Sequence, residues 1–187
     1  TEICTQVARL AQQRGAEIRL NSEVVEVQGR EIQLQGGERL EFDGVAVNAD
    51  LPYAARELVK PSPKAKERRT SCSALMLYLD YLGEIPEIQH HNVFFGGDFR
   101  RNLEDVFGTK RLTPDPAFYA CASSKTDPSQ ATEGHTNLYA LVPVPNLDRP
   151  WTAKDTQKVR HQVFERLSRE TSFDASNVLD EQSFTPN

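Results

Sequence analysis

The sequence predicts an α+β fold in which a mixed or antiparallel β-sheet is flanked by helices. Apolar and polar residues alternate with a period of two between residues 18 and 42, which is typical of short strands. Apolar residues also recur at helical spacing near both ends of the chain. The balance of 38% hydrophobic and 26% charged residues in a chain of 187 indicates a water-soluble globular protein.

The first half is predicted to begin with a helix and to continue as short strands. Apolar residues on one face of the helix are Ile3, Val7, Leu10 and Ala11. Gly15 suits the left-handed position just beyond a helix end. A hairpin turn is expected at Gly36-Gly37, and a short helix over 51–59 starts with Pro52 in its first turn. Strands are expected around 18–20, 25–27, 32–34, 40–42 and 44–47.

A stretch rich in proline and in basic residues, 60–69, separates the two halves of the sequence. It predicts a boundary between a first domain, residues 1–59, and a second domain, residues 60–187. Its basic side chains are typical of a solvated linker, and contact with anionic lipid head groups is the alternative.

The second half is predicted to combine strands with two helices. Phe99, Leu103, Val106 and Phe107 share one face of the first helix. Thr152 and Asp155 form a capping box at the start of the second helix, 152–169. Pro143 lacks a backbone N–H, so the strand that contains it is expected to end at a sheet edge. Four strands are expected, at 73–82, 91–95, 117–123 and 136–143.

The adjacent histidines His90 and His91 raise the question of a metal site. Neighbouring side chains on a strand point to opposite faces, and a metal site needs three or four ligands. No cysteine or further histidine lies at ligand spacing in the sequence, which therefore predicts no metal site.

Residue chemistry alone identifies no catalytic residue. The sequence contains no glycine-rich phosphate-binding motif and no G-x-S-x-G nucleophile motif. Asp127 precedes Pro128, and this pair is typical of a turn, with a catalytic role as the alternative.

Further features of the sequence concern the cellular compartment, the binding partners and the extent of the chain. Cys4, Cys72 and Cys121 are far apart and odd in number, which favours a reduced, cytoplasmic setting. Since no apolar run is long enough to span a bilayer, membrane association is expected only as peripheral contact. The net charge of −5 argues against a nucleic-acid partner. The first residues already follow a helix pattern, so the chain is expected to be an internal piece of a longer protein.

The second half resembles the bacterial-type phytoene desaturases, which are flavin-dependent carotenoid desaturases. The matching stretches, in order, are "SCSALMLYL" at 71–79, "HHNVFFGGDF" at 90–99, "DPAFYACASSKTDPSQATEG" at 115–134 and "LYALVPVPNL" at 138–147. The first half is similar to the part of that family in which a helix and "GAEIRLNSEVVEV" precede a strand ending in "VNAD". Two departures are Ala131-Thr132, where the family usually carries Ala-Pro, and Phe99, where an aromatic hydroxyl is common.

The resemblance implies a fold, a cofactor and a substrate class. Residues 1–59 would be part of an FAD-binding domain, and residues 60–187 a substrate-binding domain of the amine-oxidase type that is cut short at its C-terminus. The full-length protein would use FAD to dehydrogenate a carotenoid or a carotenoid precursor held in an apolar tunnel. The piece alone is expected not to bind FAD tightly, because the G-x-G-x-x-G fingerprint is absent.

The resemblance also implies site residues. The backbone of Val24 would contact the adenine of FAD, with an ordinary sheet position as the alternative. Phe94 and Phe95 would contact the polyene substrate, and the face of the sheet that is not packed on helices would form the tunnel wall. A carotene isomerase or another FAD oxidoreductase of the same superfamily, and a non-catalytic binding module, are the alternative functions.

Overall fold

The computed structural model describes residues 2–61 and 70–186. The chain forms two compact units, Thr1–Arg68 and Arg69–Asn187. The class is α+β, as the sequence predicts. Residues 62–69 of the predicted linker lie outside the described residues.

The first unit contains a four-stranded sheet and two helical segments. Helix α1, Glu2–Gln13, is followed by Gly15 with a φ of 92°, the left-handed conformation expected there. Helix α2, Leu51–Tyr53, is N-capped by Asp50 and continues as a π-helical turn, Ala54–Leu58. The four strands are β1 (Val24–Gln28), β2 (Glu31–Leu34), β3 (Arg39–Glu41) and β4 (Val59–Lys60). Strand β1 pairs in parallel with β4 and antiparallel with β2, which pairs antiparallel with β3.

Two of the strands expected in the first unit do not form. Residues 18–20 and 44–47 are irregular despite their alternating apolar pattern. A strand needs a neighbour that satisfies its backbone N–H and C=O groups. Within residues 2–61 the structure pairs neither segment with another strand, so the pattern alone was not sufficient.

The second unit contains a five-stranded antiparallel sheet. The strands are β5 (Ser73–Leu82), β6 (His91–Phe94), β7 (Phe118–Cys121), β8 (His135–Val144) and β9 (Val178–Phe184). Their order in the sheet is β6-β7-β8-β5-β9. The four strands predicted from the sequence are confirmed, with ends that agree within two residues. Strand β9 was not predicted, because most of its side chains are exposed and it forms a sheet edge.

Strand β8 lies between β7 and β5 in the sheet, but its end at Pro143 is an edge position, as the sequence predicts. Pro143 pairs with Ala74 of β5 on one side. On the other side, the pairing with β7 runs only as far as Leu141. Pro143 therefore lies where β8 has a single neighbour, and a missing N–H costs little at such a position.

The second unit also contains two helices, one between β6 and β7 and the other between β8 and β9. Helix α3, Phe99–Leu103, is N-capped by Asp98 and continues as a π-helical turn, Glu104–Gly108. Of the apolar face predicted for it, only Val106 is buried. Helix α4, Ala153–Glu170, has the predicted capping box, in which Thr152 and Asp155 each accept the other's backbone N–H. Within the described residues, no helix combines the length and hydropathy needed to cross a membrane.

One face of the five-stranded sheet packs with α4 in a single hydrophobic core. The helix contributes Val159, Val163, Phe164 and Leu167. Full burial of such a side chain contributes about 1.5–3 kcal/mol. The sheet contributes alternate residues from its strands, as the period of two requires: Leu75, Leu77, Leu79, Tyr81, Phe94, Phe118, Ala120, Leu138, Ala140, Val142 and Val144.

Candidate functional site

The other face of the five-stranded sheet is apolar and aromatic and lies outside that core. Tyr78 is directly opposite Tyr139 across the β5–β8 pair, and Met76 is opposite Leu141. Tyr119 is opposite Leu141 across the β7–β8 pair. A solvated sheet face normally carries polar residues at these positions, so an exposed apolar face indicates a site for a ligand or for another surface.

Aromatic rings form a row across this face, which we call the aromatic row: Phe184, Tyr78, Tyr139, Tyr119 and His91. Ring centroids are 5.6 Å apart between Phe184 and Tyr78, and 5.5 Å apart between Tyr78 and Tyr139. The next separations are 5.7 Å, between Tyr139 and Tyr119, and 5.9 Å, between Tyr119 and His91. Each of the five strands supplies one ring, and strands about 4.8 Å apart make the row roughly 20 Å long.

A groove with a volume of about 630 Å³ runs along part of the aromatic row. Tyr78, Tyr139 and Phe184 supply its apolar wall. Polar side chains also line it, namely Asp80, Asn137, Asp180 and Gln182, together with the loop residues Gln130, Ala131 and Thr132. An apolar groove with a few polar groups is the usual form of a small-molecule site.

The loop beside the groove is held by its own turn chemistry. Asp127 Oδ1 accepts hydrogen bonds from the backbone N–H of Ser129 at 3.1 Å and from its hydroxyl at 2.7 Å. These bonds hold the pKa of the Asp127 carboxyl below its usual value. Asp127 is thus the turn residue that the sequence predicted. Asn137 of β8 ties the preceding segment to the sheet by donating to Ser123 Oγ at 2.7 Å and accepting from the Ser124 N–H at 2.9 Å.

The structure separates the two phenylalanines that were predicted to contact substrate. Phe94 is 9% exposed and stacks on Phe118 with a centroid distance of 4.5 Å, so its side chain belongs to the core. Phe95 follows the end of β6, is 57% exposed and touches Phe99 edge to face. Only Phe95 remains available to a ligand, because the side chain of Phe94 is enclosed.

His90 and His91 do not point to opposite sides as the strand argument expected. His90 precedes β6, so strand alternation does not apply to it, and the two rings lie 4.1 Å apart. Cys121 pairs with His91 across β6 and β7. Donor atoms of the three residues lie within 4.8 Å of one another. The sequence could not show this, because Cys121 is 30 residues away from His91 along the chain and is brought near by strand pairing.

Val24, the predicted adenine contact, lies in the first unit as the first residue of β1. It is opposite Leu34 of β2, and the register between the strands shifts in a bulge before Glu26. A groove of about 340 Å³ adjoins it, lined by Glu17, Arg19, Ser22, Val24, Ile32, Leu34, Leu40, Glu41 and Phe42. Strand β4 pairs with β1 only at Val27 and Gln28, so within the described residues Val24 has a paired strand on one side only.

The tyrosines of the aromatic row were not named from the sequence, although a signal for them exists. Each of the stretches "ALMLYL", "FYAC" and "LYAL" places an aromatic residue between apolar neighbours that point the other way. The sequence did not show that Tyr78, Tyr139 and Tyr119 are adjacent, because their adjacency depends on the strand register.

Comparison with known proteins identifies relatives of the chain. It is 38% identical to the zeta-carotene-forming phytoene desaturase of Myxococcus xanthus, with 95% of this chain and 37% of the relative covered. It is 37% identical to a 4,4'-diapophytoene desaturase (4,4'-diapolycopene-forming) of a Methylomonas species, with 88% and 35% covered. These relatives bear out the resemblance to carotenoid desaturases, and the chain spans little more than a third of their length.

A solved structure and a family model agree on the fold. The structure of the PF1083 protein from Pyrococcus furiosus superimposes with a TM-score of 0.60 at 17% identity, over 97% of this chain and 41% of that one. The model of the flavin containing amine oxidoreductases matches residues 5–185. Since this match covers nearly the whole sequence, the chain belongs to the family of flavin containing amine oxidoreductases.

Proposed function

We propose that the full-length protein is an FAD-dependent desaturase that removes hydrogen from a carotenoid or a carotenoid precursor. The observation that carries this proposal is the aromatic row on the uncovered face of the five-stranded sheet. Family membership and the desaturase names of the relatives support the choice of desaturation as the reaction and of a carotenoid as the substrate class. Residues 1–59 then act as part of the FAD-binding domain and residues 60–187 as part of the substrate-binding domain.

The aromatic row suits a long conjugated or isoprenoid chain. Such a molecule is extended and apolar and offers almost no hydrogen-bonding groups, so it is bound by contact area and ring faces. The row from Phe184 to His91 presents ring after ring at spacings below 6 Å. Phe95 follows β6 at the end opposite His91, where its exposed ring adds apolar surface. The role of these residues is to bind and orient the substrate.

The first unit carries a contact for the cofactor. The side of Val24 that pairs with no strand within the described residues, and the partly apolar groove beside it, fit the edge and the face of an adenine ring. Bound FAD supplies the redox chemistry by accepting a hydride. Val24 acts through its backbone, and Ile32 and Leu34 line the groove.

Association with a membrane surface belongs to the same proposal, because a polyene substrate partitions into lipid. Three large apolar side chains that follow Phe95 along the chain are exposed, and they suit contact with a lipid surface. They are Phe99, Leu103 and Phe107.

The test is turnover of phytoene that is supplied in lipid vesicles to the full-length protein with FAD. Products with fewer hydrogen atoms and longer-wavelength absorption support the proposal. An isomer of unchanged mass would indicate an isomerase, and binding without reaction would indicate a binding module. Sedimentation of the protein with the same vesicles tests the membrane contact.

The substitution Tyr139→Asp tests the aromatic row in that assay. A carboxylate in the middle of the row must be desolvated when an apolar chain covers it, so turnover at low substrate concentration should fall at least about tenfold. The matched control is Leu147→Asp, which places the same charge on an exposed apolar residue that does not line the groove. Equal activity of the two variants would show that the polyene does not lie on the row.

A further inference from the structure

A cluster of metal-ligating side chains lies at the β6 end of the aromatic row. It contains His90, His91 and Cys121, whose donor atoms all lie within 4.8 Å of one another. Cys121 is buried, His90 is half-buried and His91 is exposed. The cluster therefore has an enclosed thiol on one side and solvent on the other.

The fold, and not a local sequence motif, assembles this cluster. Register pairing places His91 opposite Cys121 in the antiparallel β6–β7 pair. His90 lies in the bend before β6, which turns its ring beside that of His91 at a centroid distance of 4.1 Å. The backbone of the same bend is fixed, because the His90 carbonyl accepts the N–H of Ala122 at 3.0 Å. All three donors thus come from paired strands or from the segment that directly precedes one.

Hydroxyl groups orient both imidazoles. His90 Nδ1 lies 2.5 Å from Thr126 Oγ1, and His91 Nδ1 lies 2.5 Å from the Tyr119 hydroxyl. Metal-binding histidines usually use one ring nitrogen for the metal and hold the other in such a hydrogen bond. A proton on Nδ1 of each ring leaves the Nε2 lone pair free to bind a cation.

We propose that His90, His91 and Cys121 bind one divalent cation of the Zn²⁺ type, with a fourth position open to solvent. Bond lengths of about 2.0–2.1 Å to nitrogen and 2.3 Å to sulfur place tetrahedral donors roughly 3.3–3.6 Å apart. One donor atom of each side chain already lies within 4.8 Å of the other two, so metal binding requires these atoms to approach by about 1 Å. Imidazole and thiolate are the ligands that Zn²⁺ prefers over carboxylates. Binding releases the thiol proton to solvent, and no redox step is involved.

Titration with Co²⁺, a spectroscopic probe for Zn²⁺ sites, tests the proposal without any polyene or flavin. The protein carries Cys4→Ser and Cys72→Ser, which remove the other two thiols of this sequence. One Co²⁺ per chain should bind, with a sulfur-to-cobalt charge-transfer band and visible bands of tetrahedral intensity. Zn²⁺ should displace it stoichiometrically. Failure to observe a charge-transfer band would refute the assignment.

Variants separate a three-ligand site from adventitious binding by the thiol. Cys121→Ser, His90→Gln and His91→Gln should each weaken Co²⁺ binding by more than about 100-fold, which exceeds the 10–100-fold cost of losing an outer partner. The Co²⁺ affinity of Tyr119→Phe, which lacks such an outer partner, should fall within that smaller range.

His135→Gln is the control, because His135 bonds Asp80 at 2.8 Å outside the cluster. Unchanged affinity after both cluster histidine substitutions would leave only a thiol and overturn the proposal. Circular dichroism confirms folding of each variant.

Discussion

Phe94 and Phe95 are adjacent and chemically identical, yet the structure gives them opposite environments. Phe94 is enclosed by the core and stacked on Phe118, and Phe95 is mostly exposed beyond the end of β6. The period of two along a strand requires adjacent side chains to point to opposite faces. It did not predict which residue would face the helix, because that depends on the register with β7.

Substitution of each phenylalanine by aspartate should give opposite results. Phe94→Asp places a carboxylate in the core in place of a stacked ring, and the second unit should lose about 3–5 kcal/mol of stability or fail to fold. Phe95→Asp should leave the melting temperature within a few degrees of the parent, because surface substitutions usually cost under about 0.5 kcal/mol. Its turnover of phytoene should fall.

Thermal unfolding followed by circular dichroism, together with the vesicle assay, measures both effects. The control for stability is Val93→Asp, at another exposed position of the same strand. Two variants that both fold and turn over normally would exclude β6 from the core and from the substrate site alike.

At the scale of elements, sequence patterns predicted best the helix whose hydrogen bonds are local and the strands that pair with a neighbouring strand. Helix α4 was predicted correctly, because its capping box and apolar stripe are local features. The four strands of the second unit were also predicted, since each has a neighbour in the sheet. Residues 18–20 and 44–47 carry a similar pattern and remain irregular, whereas β9 forms without one by pairing with β5. Pairing is a property of the fold, and a local pattern does not contain it.

The start of α4 supplies a prediction about pH. Asp155 accepts two hydrogen bonds from Arg149, at 2.7 and 3.2 Å, and further bonds from Thr152. Arg149 first, and then Thr152, hold the pKa of Asp155 below its usual value, against the opposing effect of burial. A lowered pKa in the folded state contributes stability above the unfolded value of about 3.9, and this contribution is lost as the pH falls through the folded value.

The variant Asp155→Asn keeps the shape of the cap and removes its charge. At neutral pH it should destabilise the second unit by about 1–2 kcal/mol. The difference from the parent should shrink below about pH 4 as the parent carboxyl becomes protonated. Urea unfolding at a series of pH values measures it, with Glu165→Gln, at an exposed position of the same helix, as the control. A difference that stays constant down to pH 2 would show that the charge of Asp155 is not the source of the stability.

At the scale of the whole molecule, the proposed function gives the two units different roles. The second unit offers the aromatic row, and the first offers Val24 and the groove beside it. The sequence carries no G-x-G-x-x-G fingerprint, and the pyrophosphate site that this motif forms at a helix N-terminus supplies much of the affinity for a dinucleotide. Sequence reasoning reached this division of roles only through family resemblance, because a backbone contact such as the one proposed for Val24 leaves no side-chain signature.

The cofactor contact gives the last prediction. The 187-residue chain should not retain FAD through gel filtration, because an adenine contact alone is too small to hold the cofactor, and a yellow product would contradict this. In the full-length protein, Val24→Pro removes one backbone N–H and should weaken FAD at least about tenfold while leaving FMN, which has no adenine, unchanged. Val24→Ala keeps the backbone and is the matched control, with little expected effect. Equal weakening of FAD and FMN by Val24→Pro would indicate disruption of the sheet and would remove Val24 from the adenine site.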